Sequence, residues 1–174
     1  MKLHTPILLI SAALMLSSCS SSGSQVDAVA TPIASSAADL TGTPVSVEVS
    51  GDIAREPVVS INPGDPVSEL EISDLIVGSG EKVPAGATVT AHYVGYGGAT
   101  GVMFDGSWAR GEPATFPLDQ VILGWQEGLV GMQVGGRRLL VIPSSLGYGE
   151  NPPPGSGIEP GETLIFVVDL VSFQ

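Results

Sequence analysis

From residue 69 to the end of the chain, apolar residues come in short alternating or β-branched runs separated by Gly and Pro, and only one stretch has helical spacing. Runs at 69–77, 88–96, 102–108, 137–142 and 164–171 read as strands, because alternation and β-branched residues suit a half-buried pleated surface. The first ends at Gly78-Ser79-Gly80 and the second follows the turn-like Pro84-Ala85-Gly86. The single helical candidate is 123–132, where Trp125, Leu129 and Met132 share a face at spacings of four and three. Gly124, Gly128 and Gly131 make it weak on propensity, so packing must hold it. The predicted fold class is α+β, a curved antiparallel β-sheet wrapped around one short α-helix. With 23 Gly, 14 Pro and 43% hydrophobic residues in 174, the chain has enough apolar content for one core and favours turns and sheet over helix bundles.

The first 18 residues read as a signal peptide. Lys2 supplies the positive start, residues 7–16 form an apolar run, and Ser17-Ser18-Cys19 places small residues at a cleavage point. The run is shorter than the ~20 residues a bilayer span requires. An ordinary buried helix is the other reading, but a serine-rich tract follows at once. Leu16-Ser17-Ser18-Cys19 resembles the lipobox of bacterial lipoproteins, which implies cleavage before Cys19 and acylation of that residue. Two or more acyl chains give a stable anchor where one is marginal. A plain secreted protein with an incidental Cys19 is the alternative.

Residues 20–43 are Ser, Ala, Thr, Gly and Val with scattered Asp and no aromatic, a composition that cannot fold alone. As a linker this tract spans on the order of 25–30 Å. Val45, Val47 and Val49 alternate and 57–61 resembles a short edge strand, so order is expected to begin between 45 and 57. The predicted organisation is a signal peptide at 1–18, a lipidated Cys19 with flexible linker over 19–48, and a folded domain over 49–174.

A formal charge of −12, with six Lys and Arg, makes nucleic acid a poor partner. His4, His92 and Cys19 cannot build a zinc site, no loop has the EF-hand spacing, and no metal or cofactor is called for. Gly95-Tyr96-Gly97-Gly98 lacks the dinucleotide-binding spacing and reads as a turn, and no nucleophile elbow is present. His92 neighbours Tyr93 and should point to the opposite face of its strand.

A series of short words in fixed order carries a family resemblance. They are Phe104-Asp105, Arg110-Gly-Glu-Pro113, Val121-Ile122, Gly124-Trp125-Gln-Glu127-Gly128, Gly136-Arg137-Arg138, Ile142-Pro143, Leu146-Gly-Tyr148-Gly149 and Thr163-Leu-Ile-Phe166-Val-Val-Asp169-Leu170. In this order the chain from Tyr93 onward resembles the FKBP-type peptidyl-prolyl cis-trans isomerases, especially their bacterial secreted branch, with extension back to about residue 52.

The resemblance implies a pocket formed by Tyr93, Phe104, Asp105, Phe116, Val121, Ile122, Trp125, Tyr148, Ile158 and Phe166. It makes Trp125 the floor, the other aromatics the walls, and the Ile122 N–H and Tyr148 hydroxyl the donors. It implies proline-containing unfolded or partly folded polypeptides as partners, macrolides as inhibitors, and, with the lipidated Cys19, an exported monomer anchored to the outer face of a bacterial membrane. On spacing alone, Trp125 and Phe166 would be assigned to the core. Ala114 stands where a larger residue is common, Gly157 where a branched one often lies, and the loop over 150–157 is one residue longer than usual. These departures leave open a second reading, a proline-binding chaperone or adhesion lipoprotein with little isomerase activity.

Overall fold

The structure is a computed structural model and describes residues 43–174. The expected signal peptide over 1–18, Cys19 and the expected linker up to residue 42 lie outside the described residues. Among the described residues, twelve elements include eight strands and one α-helix: β1 Ser46–Ser50, β2 Val58–Asn62, β3 Glu71–Ile76, β4 Thr88–Gly97, β5 Met103–Gly106, β6 Ala114–Pro117, α1 Leu123–Gly128, β7 Arg137–Ile142 and β8 Leu164–Phe173, with three 3₁₀ turns between them. β1 opens inside the tract that the sequence reading gives to the linker.

The main sheet is antiparallel, in the order β3-β7-β8-β4-β5, with β6 also paired to β4. β4 is its organising strand. One edge pairs with β8 over nearly its whole length, from Val89↔Phe173 to Gly97↔Leu164. The other edge is shared end to end, with Val94–Tyr96 facing β5 and Thr88–Ala91 facing β6. Between those two partners the chain leaves the sheet through a 3₁₀ turn at Trp108–Arg110, and Tyr93 lies at that gap.

Alternation sorts the sheet's two faces. Val89, Ala91, Tyr93, Leu140, Ile142, Leu164, Phe166, Val168 and Leu170 point to the inner face and form the main core with Trp125, Leu129 and Met132. α1 covers this face but is shorter than predicted, ending at Gly128 instead of 132. The chain turns at Gly131, whose φ of +77° is a conformation that disfavours side chains. Leu129 and Met132 still reach the core, at 0% and 1% exposure, from that turn. The helix glycines have a packing reason. A Cβ on Gly128 would stand 2.8 Å from Leu140 Cδ2, and one on Gly124 would meet the Ile142 side chain.

The outer face is also dry. Val94, Val141, Ile165 and Val167 are buried although they lie outside the main core. The β1–β2 hairpin presents Val47, Val49, Val59 and Ile61 half-buried on one side, as cross-strand pairs. Its turn is fastened to this outer face by Arg137, whose guanidinium donates to Gly51 O (3.0 Å) and Arg55 O (2.7 Å) while its Nε donates to Asp169 Oδ1 at 2.5 Å. Farther along, Val67 N–H donates to Thr163 Oγ1 at 3.1 Å. Arg138, the next residue, points inward. It donates to both Asp74 oxygens in β3 and to Gly128 O at the end of α1 (2.7 Å).

Candidate active site

A cavity of about 460 Å³ opens on the helix side of the sheet. β4 contributes Tyr93, β5 Phe104 and Asp105, β6 Phe116, the start of α1 Ile122 and Trp125, and β8 Phe166. Gln120, Val121 and Tyr148 complete the lining. Nine of the ten residues expected from the sequence line the cavity. Ile158 does not: it is 9% exposed and packs in the main core.

Trp125 is 4% exposed and sits at the centre of an edge-to-face cluster. Its ring centroid is 5.5 Å from Tyr93, 5.3 Å from Phe116 and 5.3 Å from Phe166, with interplanar angles of 88°, 78° and 84°. Phe104 meets Phe166 in the same manner at 5.6 Å. Such pairs add to area burial and fix ring orientation. Trp125 therefore belongs both to the core and to the cavity lining. The indole N–H is buried with no hydrogen-bond partner among the described residues.

The polar groups collect at one side. Tyr93 donates its hydroxyl to Asp105 Oδ2 at 2.5 Å, and Arg110 donates to both Asp105 Oδ1 (3.1 Å) and the Tyr93 oxygen (3.0 Å). Burial pushes the Asp105 carboxyl up, but hydrogen bonds from Tyr93, Arg110 and Gly106 N–H outweigh it and hold the carboxyl below its ordinary value. The Tyr93 phenol is raised, first by burial and then by its bond to Asp105. Tyr148 is 37% exposed, and its phenol is raised by burial and by the Asp105 charge. Gln126 Nε2 donates to Val121 O at 2.9 Å and so holds the segment preceding the helix. The Ile122 N–H meets no acceptor among the described residues.

Two contributors escaped the sequence reading. Arg110 was visible only as part of a family word, although a cation five residues after Asp105 across a short turn is the available signal. Gln120 carries no signal beyond its place beside Val121. His92 lies on the opposite side from Tyr93, as alternation requires, stacked on Trp108 at 4.0 Å with Nδ1 3.0 Å from Ser107 Oγ. Among the described residues, no three of His, Cys, Asp or Glu are grouped to hold a metal ion.

A family model described as FKBP-type peptidyl-prolyl cis-trans isomerase matches residues 79–171. The chain belongs to this family. An FK506-binding protein of Streptomyces anulatus is 50% identical over 120 residues, covering 68% of this chain and 97% of that one. An FK506-binding protein of Neisseria meningitidis serogroup B is 45% identical over 104 residues, covering 59% and 94%. Among solved structures, FkpA from Escherichia coli superposes with a TM-score of 0.55 at 42% identity, covering 60% of this chain and 48% of that one. In this FKBP the family match begins at residue 79, so β1, β2 and β3 precede it.

Proposed function

We propose that the aromatic cavity is where this peptidyl-prolyl isomerase turns Xaa-Pro bonds, with Trp125 as floor and Tyr93, Phe104, Phe116, Val121 and Phe166 as walls. The reaction makes and breaks no bond. Its barrier, about 20 kcal/mol, is the loss of amide resonance. The twisted amide has less charge separation than the planar one and depends less on water. A dry, apolar site therefore favours the transition state over the ground state, which is the differential binding that catalysis requires. In this reading the Ile122 N–H and the Tyr148 hydroxyl hold the carbonyls on either side of the prolyl ring, so the peptide is gripped while the ring turns. Asp105 is neither acid nor base here. It organises Tyr93 and Arg110 at the rim.

The observation that carries the assignment is an edge-to-face aromatic set around Trp125 in a lining that also includes Ile122, whose N–H meets no acceptor among the described residues. The test is isomerisation of a short Xaa-Pro peptide by residues 45–174, wild type beside Asp105→Val and Tyr148→Phe. Acceleration that falls in both variants supports the assignment. A folded wild-type domain without acceleration points to a proline-binding module instead. Several relatives are named for FK506, and a macrolide of that type is expected to compete with peptide for the cavity.

The same reading places the enzyme outside the cytoplasm, with residues 1–18 as a signal peptide, Cys19 as the lipidated residue, 19–48 as a tether and 49–174 as the catalytic domain. What supports it is one cysteine in the chain, placed directly after an apolar run and small residues. Clients are then exported polypeptides that are still unfolded. Cys19→Ser should abolish labelling by a fatty acid and release the protein from membranes. Unchanged labelling would exclude Cys19 as the anchor.

A further inference from the structure

Glu162 is 4% exposed and pairs with no Lys, Arg or His among the described residues. Neutral donors hold it instead. Oε1 accepts the N–H of Ala99, the N–H of Thr100 and the Thr100 hydroxyl, each at 3.1 Å. Oε2 accepts the Glu159 N–H at 2.8 Å. The absence of a side chain at Gly97 is what makes room, since a Cβ there would lie 2.7 Å from Glu162 Cδ.

The two sets of donors belong to different loops. Ala99 and Thr100 lie in the turn between β4 and β5, and β5 carries Phe104 and Asp105. Glu159 stands near the far end of the loop that begins at Tyr148, and the base of that loop is closed by Gly161 N–H donating to Gly149 O at 2.9 Å. Both loops therefore carry cavity walls, and Glu162 itself is not in the lining. A carboxylate buried without a counter-ion is costly, and multiple hydrogen bonds are what make it tolerable.

We propose that Glu162 is a positioning residue for isomerisation, holding the Phe104–Asp105 wall and the Tyr148 loop at a fixed separation. The proposal rests on the isomerase reading of the cavity. Its chemistry needs a carboxylate in particular. Glutamine keeps the volume but has one acceptor oxygen, so its NH₂ must face either the Ala99–Thr100 donors or the Glu159 N–H. One loop is released whichever way the amide turns.

The experiment measures kcat and KM for a short Xaa-Pro peptide with Glu162→Gln, Thr100→Val and, as a stability-matched control on the outer face, Val141→Ala. All are assayed well below their melting temperatures. Glu162→Gln is expected to lose about tenfold in kcat/KM, mostly through kcat, because displaced walls favour the twisted amide less over the planar one. Thr100→Val, which removes one of four donors, should lose about twofold to threefold by the same route. Val141→Ala should melt earlier yet keep wild-type kcat and KM. A folded Glu162→Gln with unchanged constants, or an equal loss in Val141→Ala, would overturn the proposal. If Glu162→Gln does not fold, an unchanged Thr100→Val overturns it. Wild-type inactivity would instead strike the isomerase reading.

Discussion

Tyr93 and Asp105 are joined by a 2.5 Å hydrogen bond from phenol to carboxylate, and Arg110 reaches both groups. The triad spans the gap where β5 leaves β4, so it fixes Tyr93 against Phe116 and Trp125 from the polar side. Its acid limit follows from the Asp105 carboxyl. The folded-state value lies below the ordinary one, so its contribution is fully present above the unfolded value and is lost as pH falls through the folded value. A kinetic limb reports the folded enzyme, so kcat/KM is expected to hold to the ordinary Asp value of about 3.9 and to decline only at lower pH, as the folded carboxyl is protonated. Asp105→Asn should start lower and lose this acid limb. A pH–rate profile from 3 to 7 on both proteins checks it, and an identical limb in the variant would assign the titration to another group.

Gly95 is a second constraint on the cavity. A Cβ at this position would stand 2.8 Å from Phe104 Cζ and 2.8 Å from Phe166 Cε1, the two rings that meet edge to face. Gly95→Ala must therefore displace at least one of these two cavity-lining rings. Overpacking of this kind costs about 1–3 kcal/mol. The expected outcome in urea is a lower midpoint at unchanged slope, with kcat/KM reduced more than stability alone explains. Wild-type kinetics would mean that the rings yield without entering the site.

Much of this fold was legible because its strands alternate. Runs at 88–96, 137–142 and 164–171 match β4, β7 and β8 closely, the first by alternation and the other two by apolar residues buried on both faces. β6 was missed as a strand. Three residues between Pro113 and Pro117 look like a turn, and only pairing with Thr88–Ala91 makes 114–117 sheet. The helix was read too long because spacing sees Leu129 and Met132 on Trp125's face but not the positive φ at Gly131. Arg137 and Arg138 stood out as a family word, yet their partners Asp169 and Asp74 are 32 and 64 residues away. Sequence spacing carries no trace of such pairing. Ile158 packs in the main core while Gln120 lines the cavity, and sequence spacing carries no trace of which loop residue turns inward.

Arg137 ties the N-terminal hairpin to the catalytic sheet. It is 1% exposed and meets Asp169, Gly51 O and Arg55 O at once. Arg137→Ala leaves a buried carboxylate and two carbonyls without a donor, a loss of about 3–5 kcal/mol. Arg137→Met with Asp169→Leu removes both charges and should recover part of it. Hydrogen exchange is the informative measurement. Amides over 46–62 should lose protection in both proteins, whereas those of β4 should recover in the double variant. Undiminished protection of 46–62 would mean that Val47, Val49, Val59 and Ile61 hold the hairpin without Arg137.

The helix glycines invert an ordinary expectation. In an exposed helix, Gly→Ala stabilises by about 1 kcal/mol, because alanine loses less backbone entropy. In α1 the same change places a methyl group 2.8 Å from Leu140 Cδ2 at position 128. Gly128 O also accepts from Arg138 at 2.7 Å, so the helix cannot retreat without stretching that bond. Gly128→Ala is therefore expected to destabilise by about 1–3 kcal/mol. Combined with Leu140→Ala it should cost less than the two separate losses added together, because the smaller residue frees the volume that the new methyl needs. Urea midpoints of the four proteins give the coupling. Strict additivity would show that the methyl group is accommodated by moving the helix and not by displacing Leu140, and the floor beneath Trp125 would then be softer than its packing implies.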